Sequence, residues 1–162
     1  MGLFLGLVGP HAAQAAERNL SFAVSGIVSK ILVSPGQTVK AGQALAEMDS
    51  ANISARLKAG GATHRAAALA HTIAVQRFDY AKEQFEAVSL SKSELDDARL
   101  DMVEAFAKLA RIKSKIEVGK WRLAHMILRA PKAGKIVKIP GFKGMVVSLK
   151  SSVATVVTID MP

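Results

Sequence analysis

Residues 91–123 read SKSELDDARLDMVEAFAKLARIKSKIEVGKWRL, and the spacing of their apolar and small residues decides the fold. These residues recur at alternating steps of three and four without a slip, which is the heptad pattern of a helix packed along a partner helix. The stripe consists of Leu95, Ala98, Met102, Ala105, Leu109, Ile112, Ile116, Gly119 and Leu123. We therefore predict one long helix that buries a single face.

The partner helix is predicted immediately upstream, where a second stripe has the same spacing. Its members are Ile53, Leu57, Gly60, His64, Ala67, His71, Ala74, Phe78, Ala81, Phe85 and Val88. Only Ser89-Leu90-Ser91 separates the two stripes, so the helices must run antiparallel. Residues 51–125 thus predict a coiled-coil hairpin with helices of roughly 35 residues and a length of about 50 Å. Gly60-Gly61 is expected to mark a hinge or the start of the continuous coil.

The short turn also predicts a register, in which the numbers of facing residues add up to about 183. The expected pairs are Val88 with Leu95, Phe85 with Ala98, Ala81 with Met102, Phe78 with Ala105, Ala74 with Leu109, His71 with Ile112 and His64 with Gly119. Most pairs set a large residue against a small one, as close packing favours. At the turn itself, Ser91 and Glu94 fit the capping box that begins many helices.

Short β-rich runs flank the hairpin on both sides. Upstream they are Ser21–Val24, Gly26–Val33 and Ala44–Met48; downstream, the spacing of the upstream half returns with a displacement of 108 residues. The matched residues are Gly26, Gly36, Val39 and Leu45 with Gly134, Gly144, Val147 and Val153. Neither half has enough strands to be stable alone, so we predict that the two half-motifs fold on each other and share one core. That core should contain Val28, Val39, Leu45, Ile136, Val147 and Val153.

Composition excludes several functional classes. The net charge of +9 could suggest nucleic acid, but the basic residues are spread along the chain and no aromatic-basic platform accompanies them. A basic surface of this kind can equally be solvated by water or bind an acidic partner or anionic lipid. The chain has no cysteine, which excludes disulfides and thiolate metal sites.

No catalytic, cofactor or metal site is predicted. His64 and His71 share a stripe but are seven residues apart, whereas metal-binding pairs on a helix are usually three or four apart. We therefore interpret both as packing residues. The sequence has no phosphate loop, nucleophile elbow or Ser/His/Asp set, so we expect no enzymatic activity.

The N-terminus resembles an export signal. An apolar run at Leu3–Val8 precedes Ala13-Gln14-Ala15, a small-x-small site that predicts cleavage after Ala15. Residues 1–16 are therefore predicted to be a signal peptide or, in the alternative, a disordered tail. The apolar run is too short to span a bilayer.

Residues 26–45 closely resemble the first half of a biotinyl/lipoyl-type β-sandwich, and Ile127–Gly134 resembles the opening of the second half. A sandwich split by a helical hairpin is similar to the periplasmic adaptor (membrane fusion protein) family. The expected fold class is α+β: a split biotinyl/lipoyl-like β-sandwich with an inserted antiparallel coiled-coil α-hairpin. The expected segments are 20–50 and 126–160 for the two halves and 51–125 for the hairpin.

This resemblance implies a homo-oligomeric, non-enzymatic protein of the periplasm and cell envelope. Its implied partners are an inner-membrane transporter and an outer-membrane channel protein. Many efflux adaptors carry an arginine, a leucine four residues later and a serine seven after that at the hairpin tip. Counting back from Ser91, Gln84 falls at the leucine position and Tyr80 at the arginine position. With Leu95, which follows Ser91, these are the expected channel-docking residues.

The chain departs from related families in two ways. Glu47-Met48-Asp49 is followed by Ser50, where lipoyl carriers have the lysine that is acylated. The β-barrel and membrane-proximal domains of family adaptors are missing, so we expect a fragment, a minimal adaptor or one piece of a split system. Two alternatives stay open: a biotinyl/lipoyl carrier-type domain of an enzyme complex, and a coiled-coil scaffold unconnected with transport.

Overall fold

The computed structural model describes residues 16–150 and 154–161, which form a β-sandwich unit and a helical unit. The helical unit covers Ser50–His125, and the strands lie before and after it. The expected leader, apart from Ala16, lies outside the described residues. The elements are β1 (Ala16–Leu20), β2 (Gly26–Ile31), β3 (Thr38–Val39), β4 (Ala44–Met48), α1 (Ala51–Glu86), α2 (Lys92–Ala124), β5 (Ile127–Arg129), β6 (Gly134–Lys138), β7 (Val146–Val147) and β8 (Val157–Met161).

The sandwich consists of two four-stranded sheets with the strand orders β1-β8-β6-β3 and β5-β4-β2-β7. Each sheet takes two strands from the half before the hairpin and two from the half after it. All of these strand pairs are antiparallel. The predicted fold class, a split lipoyl-like sandwich with an inserted antiparallel hairpin, is confirmed.

Equivalent turns of the two halves each form a hydrogen bond to a strand of the other half. The amide of Gly36 donates to the carbonyl of Ile136 at 2.7 Å, and the amide of Gly144 donates to the carbonyl of Val28 at 2.8 Å. Both glycines have positive φ, at 82° and 92°, a conformation that glycine adopts without strain. The second contact is the first with the two halves interchanged, so the repeat in sequence is also a repeat in structure.

The core draws on both halves. Val28, Val39, Leu45, Ile136 and Val147 are each at most 1% exposed, which confirms their predicted burial. Val153 lies outside the described residues. The core is completed on β8 and the residue before it, since Val156, Val157 and Ile159 are fully buried.

The predicted strands differ from the observed ones at the N-terminal end. Ser21–Val24 is not a strand, although Phe22 and Val24 are buried. The strand here is β1, a polar segment that pairs with β8 from Ala16–Met161 to Leu20–Val157. A partner about 140 residues away in sequence supplies the hydrogen bonds, so no local apolar alternation is needed.

The hairpin has helices of 36 and 33 residues. The nine predicted stripe positions of α2 are the only residues of that helix that are not exposed, which confirms its buried face. Helix α1 continues through Gly60-Gly61 and packs against α2 up to Ile53, so the expected start of the coil at these glycines is wrong. The alternative, a hinge at Gly60-Gly61, stays a prediction.

The predicted register is wrong by one heptad. A Cβ atom on Gly119 would lie 2.7 Å from Cδ2 of Leu57, so Leu57 and not His64 faces Gly119. A Cβ atom on Gly60 would similarly lie 3.3 Å from Cγ1 of Ile116. The residue numbers of both pairs add up to 176. Continued by heptads, this register sets Ala67, Ala74 and Ala81 opposite Leu109, Met102 and Leu95; all three alanines are buried.

The reason for the shift lies at the turn. Helix α1 ends at Glu86, so Phe85 is 39% exposed and Val88 is 93% exposed, and neither can serve as a seam residue. Because α1 ends earlier than predicted, each stripe residue of α2 faces an α1 residue seven positions earlier in the sequence than expected. Seven residues is the smallest shift that keeps both stripes on the seam. His71 consequently lies beside Phe106, with ring centroids 5.7 Å apart, and not opposite Ile112 as predicted.

Candidate functional site

The two helices of the hairpin end at its tip, which we define as residues 78–98. Helix α1 stops in a Schellman motif, in which the amide of Ser89 donates to the carbonyl of Gln84 at 2.9 Å. The amide of Val88 completes the motif by donating to the carbonyl of Phe85 at 3.0 Å. These two bonds satisfy carbonyl groups that the helix end would otherwise leave unpaired.

Val88 is the unusual residue of this motif. Its φ is 57°, and it is the only non-glycine residue with positive φ in the part of the chain that the structure describes. Glycine normally holds this position because the Cβ of an L-residue crowds the backbone there, most severely when the side chain is β-branched. The sequence pattern places Val88 on the seam and therefore misses this role; only the exact end of α1 reveals it.

Helix α2 begins with the predicted capping box, which the structure confirms. The hydroxyl oxygen of Ser91 accepts a hydrogen bond from the amide of Glu94 at 3.3 Å. The Glu94 carboxylate in turn accepts from the amide of Ser91 at 2.9 Å and from its hydroxyl at 2.7 Å. These bonds lower the pKa of Glu94 below its ordinary value, with the Ser91 hydroxyl as the main cause and the Ser91 amide as the second.

The four expected docking residues divide into two pairs. Tyr80 and Ser91 are exposed, Tyr80 at 64%, so a partner can reach both side chains. Gln84 and Leu95 are half-buried. The tip therefore exposes two of the four side chains fully and the other two only in part.

The tip is acidic although the chain as a whole is basic. It contains six acidic and two basic residues, a net charge of −4 against +9 for the whole protein. Its ion pairs, Lys82 with Glu86 at 4.0 Å and Lys92 with Asp96 at 3.7 Å, are exposed and contribute little stability. The charge is therefore available to a partner.

Among residues 16–150 and 154–161, no group of three or more histidine or acidic residues is arranged to hold a metal ion. In the same residues, neither helix is long and apolar enough to cross a membrane.

The family model of the CzcB-like, barrel-sandwich hybrid domain matches residues 17–158. The chain belongs to this family. The match covers the β-sandwich and the hairpin together, in the order in which the fold presents them. No curated protein matches the sequence significantly.

Solved structures share the fold of this barrel-sandwich hybrid protein. MacA from Actinobacillus actinomycetemcomitans matches 90% of the chain with 20% identity and a TM-score of 0.61. ZneB from Cupriavidus metallidurans matches 91% with 20% identity and a TM-score of 0.59. The membrane fusion protein Spr0693 from Streptococcus pneumoniae R6 matches 90% with 21% identity and a TM-score of 0.56.

These proteins are longer than the barrel-sandwich hybrid chain. The aligned part spans 51% of MacA, 44% of ZneB and 59% of Spr0693. The family match and the shared fold confirm the resemblance to the periplasmic adaptor (membrane fusion) proteins that the sequence predicts.

Proposed function

We propose that this chain is the sandwich and hairpin portion of a non-enzymatic periplasmic adaptor. In this role it links an inner-membrane transporter to an outer-membrane channel for efflux or secretion, and several copies assemble around the transport path. The segments 20–50 and 126–160 form the lipoyl-like half-motifs of this adaptor, 51–125 forms its docking arm, and 1–16 directs export.

The observation that carries the proposal is the insertion of a long hairpin between the two halves of the sandwich. A carrier domain has a short turn at this point, with a lysine at its apex for the acyl group. Here β4 ends at Met48 and α1 begins at Ala51, so a rod of two helices of more than 30 residues replaces that turn. A rod of that length suits reaching a distant partner and has no use in a swinging-arm carrier.

The tip supplies the docking surface. Tyr80 and Ser91 are exposed, and Gln84 and Leu95 are half-buried. We propose that Tyr80 and Ser91 contact the channel directly and that Gln84 and Leu95 position them. The capping box orients Ser91 for this contact because its backbone and its hydroxyl are both fixed by Glu94.

Photo-crosslinking in the source cells tests this function. Benzoylphenylalanine placed at Tyr80, which is 64% exposed, should form adducts with an outer-membrane protein after irradiation. The matched control is Leu69, which is 62% exposed on the same helix but about 16 Å further from the tip at 1.5 Å per residue. Adducts from Leu69 should not contain the outer-membrane protein.

Absence of an outer-membrane adduct from Tyr80 would contradict channel docking. Recovery of the chain from the cytosol, with Met1 retained, would contradict the periplasmic role as a whole. An exported chain is instead expected to begin at Ala16.

A further inference from the structure

Val88 has a strained backbone, and its side chain is too exposed for packing within the chain to compensate for that strain. Its φ of 57° is unfavourable for a β-branched residue, and its side chain is 93% exposed. Strained residues usually persist because surrounding packing holds them in place or because a function requires them. Exposure this high excludes packing within the chain as the reason.

The turn itself does not need a side chain at this position. The bonds of the Schellman motif join backbone groups only, from Val88 to Phe85 and from Ser89 to Gln84. Glycine would form both bonds without strain, as it does at most helix ends of this kind. The hydrogen bonds of the turn therefore give no reason for a valine side chain at this position.

The surroundings of Val88 indicate which kind of partner surface would fit the tip. Phe85 and Tyr80, at 39% and 64% exposure, add apolar surface to the tip. The same stretch has six acidic and two basic residues. A complementary surface would combine a shallow apolar depression with a basic border.

We propose that Val88 is an apolar knob that inserts into such a socket on the channel protein to which the tip docks. The proposal rests on the docking function argued above and adds the residue that anchors it. The left-handed turn aims the side chain outward from the end of the hairpin, and its strain is the cost of keeping an apolar group at the most accessible point.

The experiment places the photo-crosslinker at Ser89 and varies its neighbour in the source cells. Val88→Gly removes both the knob and the strain, Val88→Thr keeps the shape and the strain but adds a hydroxyl, and Val88→Ile keeps the apolar character. We expect Val88→Gly and Val88→Thr to lower the yield of the outer-membrane adduct about fivefold or more, since an apolar contact is lost or a hydroxyl is buried. Val88→Ile should retain the yield.

Val118→Ala is the matched control, because Val118 is an exposed valine on α2 outside the tip; it should leave the yield unchanged. The purified proteins supply a second readout. Val88→Gly should raise the midpoint of thermal unfolding by roughly 2 °C, because glycine relieves the strain. Higher thermal stability together with weaker docking in Val88→Gly would therefore indicate that Val88 acts as the apolar knob.

Two results would overturn the proposal. Equal adduct yields for wild type, Val88→Gly and Val88→Thr would make Val88 a poor helix cap and nothing more. A midpoint for Val88→Gly at or below that of wild type would remove the argument from strain. Absence of any outer-membrane adduct from Ser89 when Val88 is unchanged would instead contradict docking itself. Failure of the knob proposal and failure of the docking function are therefore distinguishable.

Discussion

Ser91 is the residue at which the hairpin turn becomes helix α2. Its hydroxyl accepts from the amide of Glu94 and donates to the Glu94 carboxylate. Ser91→Ala should therefore lower the stability of the hairpin by about 1 kcal/mol, the usual effect of losing such a cap. Chemical denaturation followed by circular dichroism measures the change. Ser93→Ala, two residues away and without a capping bond, should have a smaller effect.

Glu94 makes the same cap sensitive to pH. Because its pKa is lowered in the folded hairpin, the charged cap stabilises α2 fully above the ordinary glutamate pKa of about 4.3. That contribution is lost as the pH falls through the lowered pKa. Carboxyl NMR titration should show an acid-shifted Glu94 in the wild type and a smaller acid shift in Ser91→Ala, which loses the hydroxyl but keeps the backbone amide at residue 91. An unchanged titration in the variant would mean that Ser91 does not set this pKa.

At the level of elements, the register of the two helices admits a direct test because the chain has no cysteine of its own. Gly60→Cys with Ile116→Cys should form a disulfide under mild oxidation, since a Cβ atom on Gly60 lies 3.3 Å from the Ile116 side chain. His64→Cys with Gly119→Cys, a pair that faces only in the register shifted by one heptad, should stay reduced. Non-reducing electrophoresis separates the two outcomes, and the reverse pattern would restore the predicted register.

Substitutions at Gly61 and Gly119 separate the effect of helix propensity on stability from the effect of packing. A Cβ atom on Gly61 would meet only Nη1 of Arg65, at 3.9 Å, so Gly61→Ala should stabilise α1 by about 0.5–1 kcal/mol. Gly119→Leu should destabilise the hairpin by about 1–3 kcal/mol because Leu57 already fills that space. Thermal unfolding measures both changes. Stabilisation by Gly119→Leu would show that the seam has room there.

The buried face of α2 was predictable because a two-helix seam imposes its period on the sequence without exception. The pairing of the helices was not, because a heptad pattern fits any shift of seven equally well and only the end of α1 selects one. That end depends on Val88, whose residue type argues against the backbone it adopts. Local preference and tertiary structure disagree at this point, and the docking site is proposed there.

For the whole molecule, the sandwich should not require the hairpin. The chain leaves at Asp49 and returns at Met126 between two strands that already pair, and the amide of Met48 donates to the carbonyl of Met126 at 2.8 Å. Replacing residues 50–125 with a short Asn-Gly turn should leave a folded sandwich with dispersed amide NMR signals. Deleting residues 126–161 should unfold the first half, because each sheet would lose two strands. A folded first half would contradict the shared core.

The shared sandwich was predictable from the 108-residue displacement, since two incomplete repeats can bury their apolar faces only on each other. The strand β1 was not, because Ala16–Leu20 is a polar segment whose partner lies at the other end of the chain. Ser91 and Leu95 came from a resemblance to the hairpin tip of efflux adaptors, and Tyr80 and Gln84 came only from a spacing counted back from Ser91. A spacing places residues along a helix but does not say which of them point outward, so it could not separate Tyr80 from Gln84.

The hydrogen bonds that join these turns to strands of the other half also dictate the order in which the protein can fold. The amide of Gly36 cannot form its hydrogen bond before Ile136 has been synthesised, and the carbonyl of Val28 cannot accept its bond before Gly144 has been synthesised. The first half therefore leaves the ribosome with unpaired strand edges. At 5–20 residues per second, synthesis of the hairpin prolongs this unpaired state by about 4–15 s. Antiparallel helices form through local contacts and should be complete first. We therefore expect the rod to fold early and the sandwich to close last, with unpaired edges that need protection until the final strand arrives.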